Sequence, residues 1–441
     1  MLKYLRLSNV GPAPELELEL GQRLNLITGD NGLGKSFLLD VAWWALTRKW
    51  PQDLNQDLTS GYPARPADPG QPAKIRFKLE SKSRPEVDYT SSYSLKRQAW
   101  EGAVGRPWNP GLVIYAHADG AFSVWDPARN YWKAKGKADV DDGLPGYVFS
   151  AKQVWDGLEI ESGGKRETVC NGLLLDWAIW IRENGSNARR MAELLRGLAP
   201  PGEQLAVGST LQRLSVNSGR DIPTIRTAYA DSVPIVHASA GVRRVVGLAY
   251  MLLWSWFEHC LAAEQRGEPK ASQVILLFDE IESHLHPRWQ RSILKSLLGT
   301  AQSLHNAKIQ LLAVTHSPLI LASAEPIFDP ATDAWFDLDL IPGADQGPAT
   351  VGVERRPFVR RGTAGRWLIS PAFDLKSEGR SLEAEEAIGK AEKLLDRFRE
   401  KGILDRTEVE AVDVELRQVL GDMDRFWIRW SAVTDELRGN S

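Results

Sequence analysis

Residues 24–36 read LNLITGDNGLGKS, and this stretch decides the fold of the chain. Its first part is mostly apolar and indicates a buried strand. Residues 29–36 match the pattern G-x-x-x-x-G-K-[ST] at each fixed position. Residues 37–44 follow as a run with helical character. Strand, glycine loop and helix in this order are the context of a phosphate-binding loop, so a chance glycine turn is the weaker interpretation.

Each fixed residue of this loop has a chemical task. Glycines let backbone N–H groups turn toward phosphate oxygens, where a side chain would block the approach. The start of the helix adds unpaired N–H groups and the positive end of its dipole. Lys35 places a point charge on the β- and γ-phosphates, and the hydroxyl of Ser36 is a Mg²⁺ ligand. The predicted nucleotide-binding residues of the loop are Gly29, Asn31, Gly32, Gly34, Lys35, Ser36 and Phe37.

Two acidic residues, Asp279 and Glu280, directly follow the apolar run 274–278. Such a run is typical of a central parallel strand that is covered on both faces. The carboxyl end of this strand should lie beside the phosphate loop in an open α/β sheet. We expect Asp279 to hold Mg²⁺, and Glu280 to orient or deprotonate the attacking water, because consecutive side chains point in opposite directions.

A histidine ends the next apolar run, residues 309–314, within the sequence Thr-His-Ser-Pro at 315–318. A single histidine after a strand usually has a structural role. The surrounding sequence favours a functional one, in which His316 donates a hydrogen bond to the γ-phosphate that strengthens as charge develops. The predicted catalytic residues are therefore Glu280, His316 and Lys35.

Ser239 and Gly241 belong to a turn of small residues that opens a long apolar helix. A helix N-terminus of this kind can form a second phosphate cradle. The phosphate loop already surrounds its own triphosphate, so this turn would serve the nucleotide of a second subunit. Taken by itself, the turn is equally explained by Ser239 acting as an ordinary N-cap.

The composition is that of an ordinary globular protein, with 43% hydrophobic and 25% charged residues among 441. The length predicts two or three domains. A net charge of −3 provides no electrostatic footprint for nucleic acid over the whole chain, although a local basic patch stays open. Two cysteines fit a reducing cytosol, no apolar run approaches the roughly 18 residues of a membrane span, and the N-terminus does not resemble a signal peptide. We therefore expect a cytoplasmic protein without a membrane partner.

The C-terminal residues 381–441 have a different pattern from the rest of the chain. Apolar residues step by four and three from 384 to 398, and they do so again from 409 to 437 at coiled-coil spacing. Asp405 with Glu408 is suited to cap the second helix. The pattern predicts a helical hairpin or a partner-binding helix, and packing of the stripe on the chain's own body is an equal alternative.

In their order along the chain, these four motifs resemble those of the ABC-type ATPases, a superfamily that includes the SMC, RecF and OLD proteins. The resemblance covers residues 1–345. It implies ATP as the nucleotide and Mg²⁺ as the metal ion. It also implies that Ser239 and Gly241 form a signature motif, which acts on the nucleotide of the partner in a homodimer or higher homo-oligomer.

Two further features follow from the same resemblance. Residues 282–287, Glu-Ser-His-Leu-His-Pro, are similar to the D-loop of the RecF/OLD-like branch. This makes a dimer contact the favoured role for His284 and His286, rather than a metal pair. The superfamily also has a glutamine that joins the two lobes, and Gln153 is the candidate for it.

The resemblance implies the fold class and its division along the chain. The class is α/β: an ABC-type P-loop NTPase with a mixed sheet that has a parallel core, an antiparallel β subdomain and a helical lobe, followed by the C-terminal helical hairpin. The expected segments are the N-terminal part of the ATPase domain with a β-rich insertion (1–150), the helical lobe (151–235), the C-terminal part of the ATPase domain (236–345), a linker (346–380) and a helical tail for partner binding or oligomerisation (381–441).

Within the superfamily the chain looks most like the Septu-type (PtuA-like) anti-phage ATPases. SMC proteins carry long heptad runs that residues 37–238 lack, and the nuclease of OLD proteins is represented by no more than a stray Asp-Leu-Asp at 337–339. The resemblance implies that ATP gates a separate effector, an HNH-type nuclease. Two other functions stay open, which are a RecF-like DNA-repair ATPase that binds DNA and a nucleotide-dependent scaffold with negligible turnover.

Overall fold

The computed structural model describes residues 1–82, 84–102, 108–130, 144–162, 164–203, 205–302, 307–342, 349–401 and 405–439. The chain divides into two compact units, Met1–Arg360 and Arg361–Ser441. The strands are β1 (Leu2–Val10), β2 (Ala13–Glu19), β3 (Leu24–Gly29), β4 (Lys74–Ser81), β5 (Arg84–Ser94), β6 (Ala99–Trp100), β7 (Leu112–Ala116), β8 (Phe122–Trp125), β9 (Tyr147–Phe149), β10 (Leu158–Ser162), β11 (Lys165–Cys170), β12 (Ala206–Gln212), β13 (Ile222–Arg226), β14 (Val233–Pro234), β15 (Gln273–Phe278), β16 (Lys308–Val314), β17 (Ala334–Ile341) and β18 (Thr350–Arg355). The helices are α1 (Lys35–Thr47), α2 (Pro51–Leu54), α3 (Ala151–Asp156), α4 (Leu173–Glu183), α5 (Ser186–Leu198), α6 (Ala240–Gln265), α7 (Pro287–Gln302), α8 (Pro318–Ala324), α9 (Ala364–Leu368), α10 (Leu382–Lys401), α11 (Arg406–Val419) and α12 (Phe426–Gly439).

The first unit is built on an eight-stranded sheet with the order β18-β17-β3-β16-β15-β7-β8-β9. The strands from β17 to β7 run parallel to one another, and antiparallel strands form both edges. All residues from Val274 to Phe278 of β15 are buried, so both faces of this strand are covered. The predicted α/β class with a parallel core is confirmed.

A second, antiparallel sheet packs against α1. Its strand order is β2-β1-β4-β5-β6. In β2 Leu16 and Leu18 are buried while Glu15, Glu17 and Glu19, which alternate with them, are exposed, as strict alternation predicts. Trp44 of α1 packs edge-on against Phe77 of β4 with ring centroids 6.3 Å apart, within one apolar core that also reaches the main sheet. This is the predicted antiparallel subdomain, and its apolar face packs against one side of α1.

The expected helical lobe, residues 151–235, is corrected by the structure. This segment contains α3, α4 and α5, but also the hairpin of β10 and β11 and a three-stranded sheet of β12, β13 and β14. The helices have apolar faces, whereas strands of only five to seven residues are too short to show a periodicity that can be recognised from sequence.

The expected linker, residues 346–380, is also wrong in part. Residues 350–355 form β18, which pairs with β17 at the edge of the main sheet, and α9 lies further along the same segment. The first unit extends to Arg360. The expected boundary between 345 and 346 lies outside the described residues.

The second unit contains a group of three helices, α10, α11 and α12, instead of the expected hairpin. The apolar stripe is interrupted where α11 ends at Val419 and α12 begins at Phe426. Leu416 and Trp430, on either side of the break, are buried against α10, whereas Met423 within it is 95% exposed. The three-and-four spacing of apolar residues continues across this break by chance, because the turn between α11 and α12 has a length that keeps the spacing. The stripe therefore packs on its own unit, and the side chains of Val433 and Leu437 lie outside the described part.

Helix α6 corrects the expectation that no segment approaches the length of a membrane span. It is the one helix of the described residues that is long and apolar enough to cross a membrane by length and composition. Inside the chain, however, 72% of its most apolar 18-residue window is buried. Burial of this kind is what a core helix shows, so its apolar length is explained by packing.

Candidate functional site

The phosphate loop connects β3 to α1, and its glycines are required by its geometry. Gly32 and Gly34 have φ angles of 81° and 92°, in the left-handed region that side chains disfavour. A Cβ atom on Gly34 would lie 2.7 Å from the ring of Pro12, and one on Gly29 would collide with the carbonyl of Leu338. The loop can therefore adopt this path only with glycine at these positions.

Lys35 closes the loop on itself. Its ammonium donates hydrogen bonds to the carbonyl oxygens of Gly29, at 2.9 Å, and Asp30, at 2.6 Å. Burial lowers the pKa of Lys35, and the negative charges of Asp30, Asp279 and Glu280 oppose this shift. The ammonium therefore lies against the backbone of the loop and interacts with the negative charges of Asp30, Asp279 and Glu280.

Asn31 and Phe37 complete the predicted loop residues. Asn31 is exposed to solvent in the loop. The ring of Phe37 packs against Gly11 in the turn between β1 and β2, where an added Cβ would overlap the ring. Phe37 therefore anchors the first turn of α1 to the antiparallel sheet, and contact of its backbone with nucleotide stays a prediction.

Asp279 is brought to the loop by the parallel sheet. It follows β15, and its carboxylate accepts a hydrogen bond of 3.0 Å from the hydroxyl of Ser36. Its backbone N–H donates to the carbonyl of Ala116 at the end of β7, at 2.9 Å. Burial raises the pKa of Asp279 to about 6, while the Ser36 hydrogen bond acts in the opposite direction. The two predicted Mg²⁺ ligands thus lie in direct contact.

Glu280 is half-buried and has a φ angle of 48°. A non-glycine residue in the left-handed region is uncommon, and such strain clusters at functional sites. The left-handed backbone of Glu280 therefore marks this loop as a candidate functional segment.

His316 follows β16, the strand between β3 and β15. Burial lowers the pKa of His316, the positive charge of Lys35 lowers it further, and Glu280 and Asp30 oppose the shift. The imidazole is therefore held toward its neutral form and lies in the field of the same charged residues. The structure thus brings Lys35, Ser36, Asp279, Glu280 and His316 to one edge of the sheet.

Glu282 is a residue of this edge that sequence reasoning placed in a dimer-contact loop. Its carboxylate accepts hydrogen bonds from the hydroxyl of Thr315, at 2.7 Å, and from the backbone N–H of His316, at 2.5 Å. Burial raises the pKa of Glu282. Glu282 therefore ties the loop after β15 to the end of β16, a pairing that no local sequence signal indicates.

Ser239 and Gly241 form the N-terminus of α6. The Ser239 side chain is exposed, and its oxygen accepts a hydrogen bond of 3.3 Å from the N–H of Val242, as an N-cap does. A Cβ atom on Gly241 would lie 2.6 Å from the carbonyl of His284, so only glycine allows this contact. The turn is therefore both an N-cap and a surface that a second chain can reach.

Gln153 lies at the start of α3 in a capping box. Its side-chain oxygen accepts hydrogen bonds from the backbone N–H of Ser150, at 2.9 Å, and from the amide of Asn55, at 2.7 Å. The residues that border Asp279 are instead those after β7, because β7 pairs with β15. The role of Gln153 in joining two lobes stays a prediction that these contacts do not support.

The Asp-Leu-Asp sequence at 337–339 lies in β17. Asp337 is buried, accepts a 2.7 Å hydrogen bond from the hydroxyl of Thr28 and forms an ion pair of 2.8 Å with Arg356. These contacts tie β17 to β3 and to the segment after β18, which is a structural role.

Comparison with known protein families assigns the chain to one of them. The profile of the family described as "AAA domain, putative AbiEii toxin, Type IV TA system" matches residues 24–322, which contain the phosphate loop, the N-terminus of α6, Asp279 and His316. The chain belongs to this family. Its AAA domain therefore includes every strand of the parallel core except β17.

Among curated proteins, a segment of 49 residues is 45% identical to the Retron Vc95 probable ATPase of Vibrio cholerae serotype O1 biovar El Tor. The match covers 11% of this chain and 9% of that protein, so less than a tenth of the relative's length is spanned. Among solved structures, the SMC head domain from Thermotoga maritima has a TM-score of 0.37 and 16% identity, with 81% of this chain and 99% of that one covered. RecF with ATPrS has a TM-score of 0.37 and 14% identity, with coverage of 81% and 98%.

The donor set of the AAA domain fits a nucleoside triphosphate with Mg²⁺. Mg²⁺ prefers oxygen ligands and uses one or two protein groups together with phosphate oxygens and water. Ser36 and Asp279 supply two such oxygens in contact with each other. The N-terminus of α1 has Gly34 as its N-cap, which has no side chain that could satisfy the first N–H groups. These N–H groups and Lys35 form a cationic cradle next to the two oxygen ligands.

Proposed function

We propose that this chain binds ATP with Mg²⁺ at the edge formed by the phosphate loop and the loop after β15, and that it hydrolyses the ATP. The observation that supports this is the 3.0 Å hydrogen bond between Ser36 and Asp279, which lie 243 positions apart in sequence. It brings the two proposed Mg²⁺ ligands together across the intervening strand β16. The experiment is measurement of phosphate release with and without Mg²⁺ by the whole chain.

In this proposal, each residue has a defined task. The loop N–H groups and Lys35 bind the phosphate oxygens, and Ser36 with Asp279 holds Mg²⁺, which neutralises charge on the phosphates. Glu280 accepts a proton from the water that attacks the γ-phosphorus. The bond from that phosphorus to the bridging oxygen breaks, and ADP and inorganic phosphate leave. His316 donates a hydrogen bond to the γ-phosphate as charge develops there.

We also propose that two copies close around ATP, in the ABC-type manner. Ser239 and Gly241 of one chain would contact the nucleotide held by Lys35 of the other. The exposure of Ser239 at the start of α6 supports this, because a second copy can reach it. The test is the molar mass in solution with ATP and with ADP. A mass that stays unchanged with ATP, in a variant that binds ATP but cannot hydrolyse it, contradicts the dimer.

The biological role that we propose is the ATPase of a bacterial anti-phage defence complex in the cytoplasm. The family description names a toxin of a toxin–antitoxin system, and the short match is to a retron ATPase; both support a defence role. The ATP state would gate a separate effector, an HNH-type nuclease, docked on the second unit. Met423 and Ile428 of this unit are 95% and 73% exposed and offer an apolar contact.

Co-expression with a neighbouring effector gene tests the docking surface. Met423→Asp together with Ile428→Asp should abolish co-purification and leave ATP hydrolysis intact, because both residues are exposed and lie outside the first unit. The matched control is Leu95→Asp, an exposed apolar residue of the first unit. Retention of the effector by the double variant contradicts this docking site. Salt-dependent binding of duplex DNA by the isolated chain would instead support the RecF-like DNA-repair function.

A further inference from the structure

A cavity of about 630 Å³ lies between α5 and α7 of the first unit, and side chains of α6 reach it from below. Its volume falls within the range of about 300–1,000 Å³ that is usual for pockets that bind small molecules. The described residues that line it all belong to the first unit, and none of them is a proposed residue of the nucleotide site. The cavity is therefore a second concave site of the chain, with a lining of its own.

The floor of the cavity is apolar, and its walls are two helix faces. Leu194 of α5, together with Leu253 and Trp256 of α6, lines the cavity and is buried. The lining positions of α5 are 190, 193, 194 and 197, and those of α7 are 292, 295, 296 and 299. Both sets have the spacing i, i+3, i+4, i+7 of one helix face. The cavity is thus a cleft between two helices above an apolar floor.

Two glycines keep this cleft open, Gly197 in α5 and Gly299 in α7. A Cβ atom on Gly299 would meet no atom within 4 Å, and one on Gly197 would lie 3.6 Å from the hydroxyl of Thr300, which is an ordinary contact. Glycine is disfavoured in a helix relative to residues with a side chain. Packing among the described residues does not require it at either position, so the contribution of both glycines is the space that they leave in the cavity.

The two helices that form the walls carry an excess of positive charge. They contain one acidic residue, Glu193, and six basic residues, a net charge of +5 in a chain whose total is −3. All six basic residues are exposed, and in the described part of the chain none of them forms an ion pair: Arg189, Arg190, Arg196, Arg288, Arg291 and Lys295. Of these, Arg190 and Lys295 line the cavity itself. Unpaired cations beside an apolar cleft favour a ligand that brings negative charge.

We propose that this cavity binds a small amphipathic anion. The apolar body of the ligand lies on Leu194 and Leu253, and its phosphate or carboxylate contacts Arg190 and Lys295. The guanidinium fork of Arg190 matches either group with two parallel hydrogen bonds. A single cleft of this volume suits a small molecule, whereas a nucleic-acid strand requires a groove that follows its backbone. Binding at this site does not depend on the proposed hydrolysis of ATP, because the two sites share no residue.

The first test uses two fluorescent probes, titrated into the whole chain without nucleotide. Anilinonaphthalene sulfonate is an amphipathic anion, and phenylnaphthylamine is its analogue without the sulfonate. In Arg190→Gln with Lys295→Gln, we expect the anion to bind about tenfold more weakly and the neutral probe to bind within about twofold of wild type, because the charge-assisted contacts alone are lost. The matched control is Arg189→Gln with Arg291→Gln, which removes the same charge from exposed positions of the same helices outside the cavity lining. This control should bind both probes as wild type does.

The second test fills the cavity at Gly197. In Gly197→Leu both probes should bind more than about tenfold more weakly, because the new side chain occupies their space in a site that cannot expand freely. Gly197→Ala leaves most of the volume open and is the control, with affinities close to those of wild type. The midpoint of thermal unfolding shows whether each variant is folded, and Gly299→Leu replaces Gly197→Leu if the latter does not fold.

The head group of the ligand is identified by displacement of anilinonaphthalene sulfonate with dodecyl phosphate and with dodecanoate, both below their micelle concentrations. Wild-type affinity for the anion in Arg190→Gln with Lys295→Gln, or for either probe in the filled cavity, contradicts the proposal. Displacement by a single-stranded oligonucleotide and by neither small anion also contradicts it, and assigns the cations to a nucleic-acid strand. Absence of ATP hydrolysis in the wild-type chain contradicts the proposed function and leaves these titrations unchanged.

Discussion

Two helices of the first unit begin with small residues at positions where an anion could bind, and their N-termini differ. The first turn of α1 follows Gly34, whose left-handed backbone leaves the N–H groups without a side-chain cap, and Lys35 lies beside them. The first turn of α6 follows Ser239, whose oxygen already accepts the N–H of Val242. The hydroxyl of Ser36 in the first turn of α1 contacts Asp279 of the same chain, whereas Ser239 at the start of α6 is exposed.

The difference concerns which groups of a phosphate-binding site one chain supplies at each helix. At α1, the cation, the proposed metal ligands and the acidic residues all come from the same chain. At α6, the hydroxyl of Ser239, the exposed Arg243 and the positive end of the helix dipole face solvent, and we propose that the phosphate they contact is held by a second chain. Variants at the two helices should therefore have separable effects on nucleotide binding, hydrolysis and association.

The largest effect is expected from Glu280→Gln. Glutamine cannot accept the proton from water, so kcat should fall by about 10²–10⁴-fold while ATP binding is kept. ATP should then accumulate in a closed dimer, detected by light scattering after gel filtration. The control is Glu264→Gln, an exposed glutamate on α6. Normal hydrolysis by Glu280→Gln would show that the general base is assigned wrongly.

A slightly smaller effect is expected from Lys35→Ala, which removes the cation of the α1 site. Removal of a hydrogen-bond donor to the charge that develops in the transition state lowers kcat about 10²–10³-fold. Binding of a fluorescent ATP analogue should be lost as well, because Lys35 also contacts the phosphates before reaction. Lys96→Ala removes an equal charge from an exposed position. An affinity for ATP equal to that of wild type would contradict the cradle at α1.

Ser239→Ala should affect α6 without affecting α1. One hydrogen bond from a hydroxyl to the partner's charged phosphate is worth about 1.5 kcal/mol, so hydrolysis should fall about tenfold. The lost N-cap should also destabilise the helix by about 1 kcal/mol. ATP affinity of the monomer should stay as in wild type. Ser239→Thr, which keeps the hydroxyl, is the matched control. Equal losses of affinity and turnover would place Ser239 in the α1 site instead.

The smallest effect on turnover is expected at Asp40 of α1, where the prediction concerns stability. Asp40 is buried and accepts a 3.0 Å hydrogen bond from the hydroxyl of Tyr115, and burial raises its pKa to about 7. Between pH 4 and pH 7 the folded chain therefore keeps a proton that the unfolded chain loses, so stability should fall as pH rises through this range. Asp40→Asn should reduce this dependence and stabilise the protein at pH 8, by at most about 4 kcal/mol.

The measurement for Asp40 is the urea midpoint of unfolding from pH 5 to pH 8. Asp57→Asn, at an exposed position in the loop after α2, is the control. If the midpoints of wild type and Asp40→Asn run parallel across the whole range, then Asp40 does not titrate differently in the folded chain. This result would leave the chemistry of the α1 site unaffected, because Asp40 is not one of its proposed ligands.

Much of the candidate site could be predicted from sequence, because its parts are local. The glycines, Lys35 and Ser36 lie within eight consecutive residues, and Asp279 and His316 each end an apolar strand. Parallel strands of one sheet present their carboxyl ends on the same edge, so the edge itself was predictable. The role of Gln153 stays a prediction. The residues that border Asp279 could not be identified from sequence, because only the strand order shows that β7 pairs with β15.

Periodicity was less informative than motifs. In residues 151–235, short strands with charged residues were taken for part of a helical lobe. In the second unit, a stripe that keeps its three-and-four spacing was taken for one helix, although α11 ends at Val419. Spacing reports which residues share a face only where the backbone is already helical, and it does not report where a helix stops.

By itself, the sequence determined the phosphate loop, the acidic strand end and the α/β class, because these follow from the conformations that glycine allows and from the burial of apolar strands. The tertiary structure alone decided which distant groups meet: Ser36 with Asp279, Glu282 with His316, and Arg244 with the carbonyl of His117. The physical reason is that hydrogen bonds between residues far apart in sequence depend on strand order and helix packing. Both are properties of the whole folded chain, and no short stretch of residues encodes them.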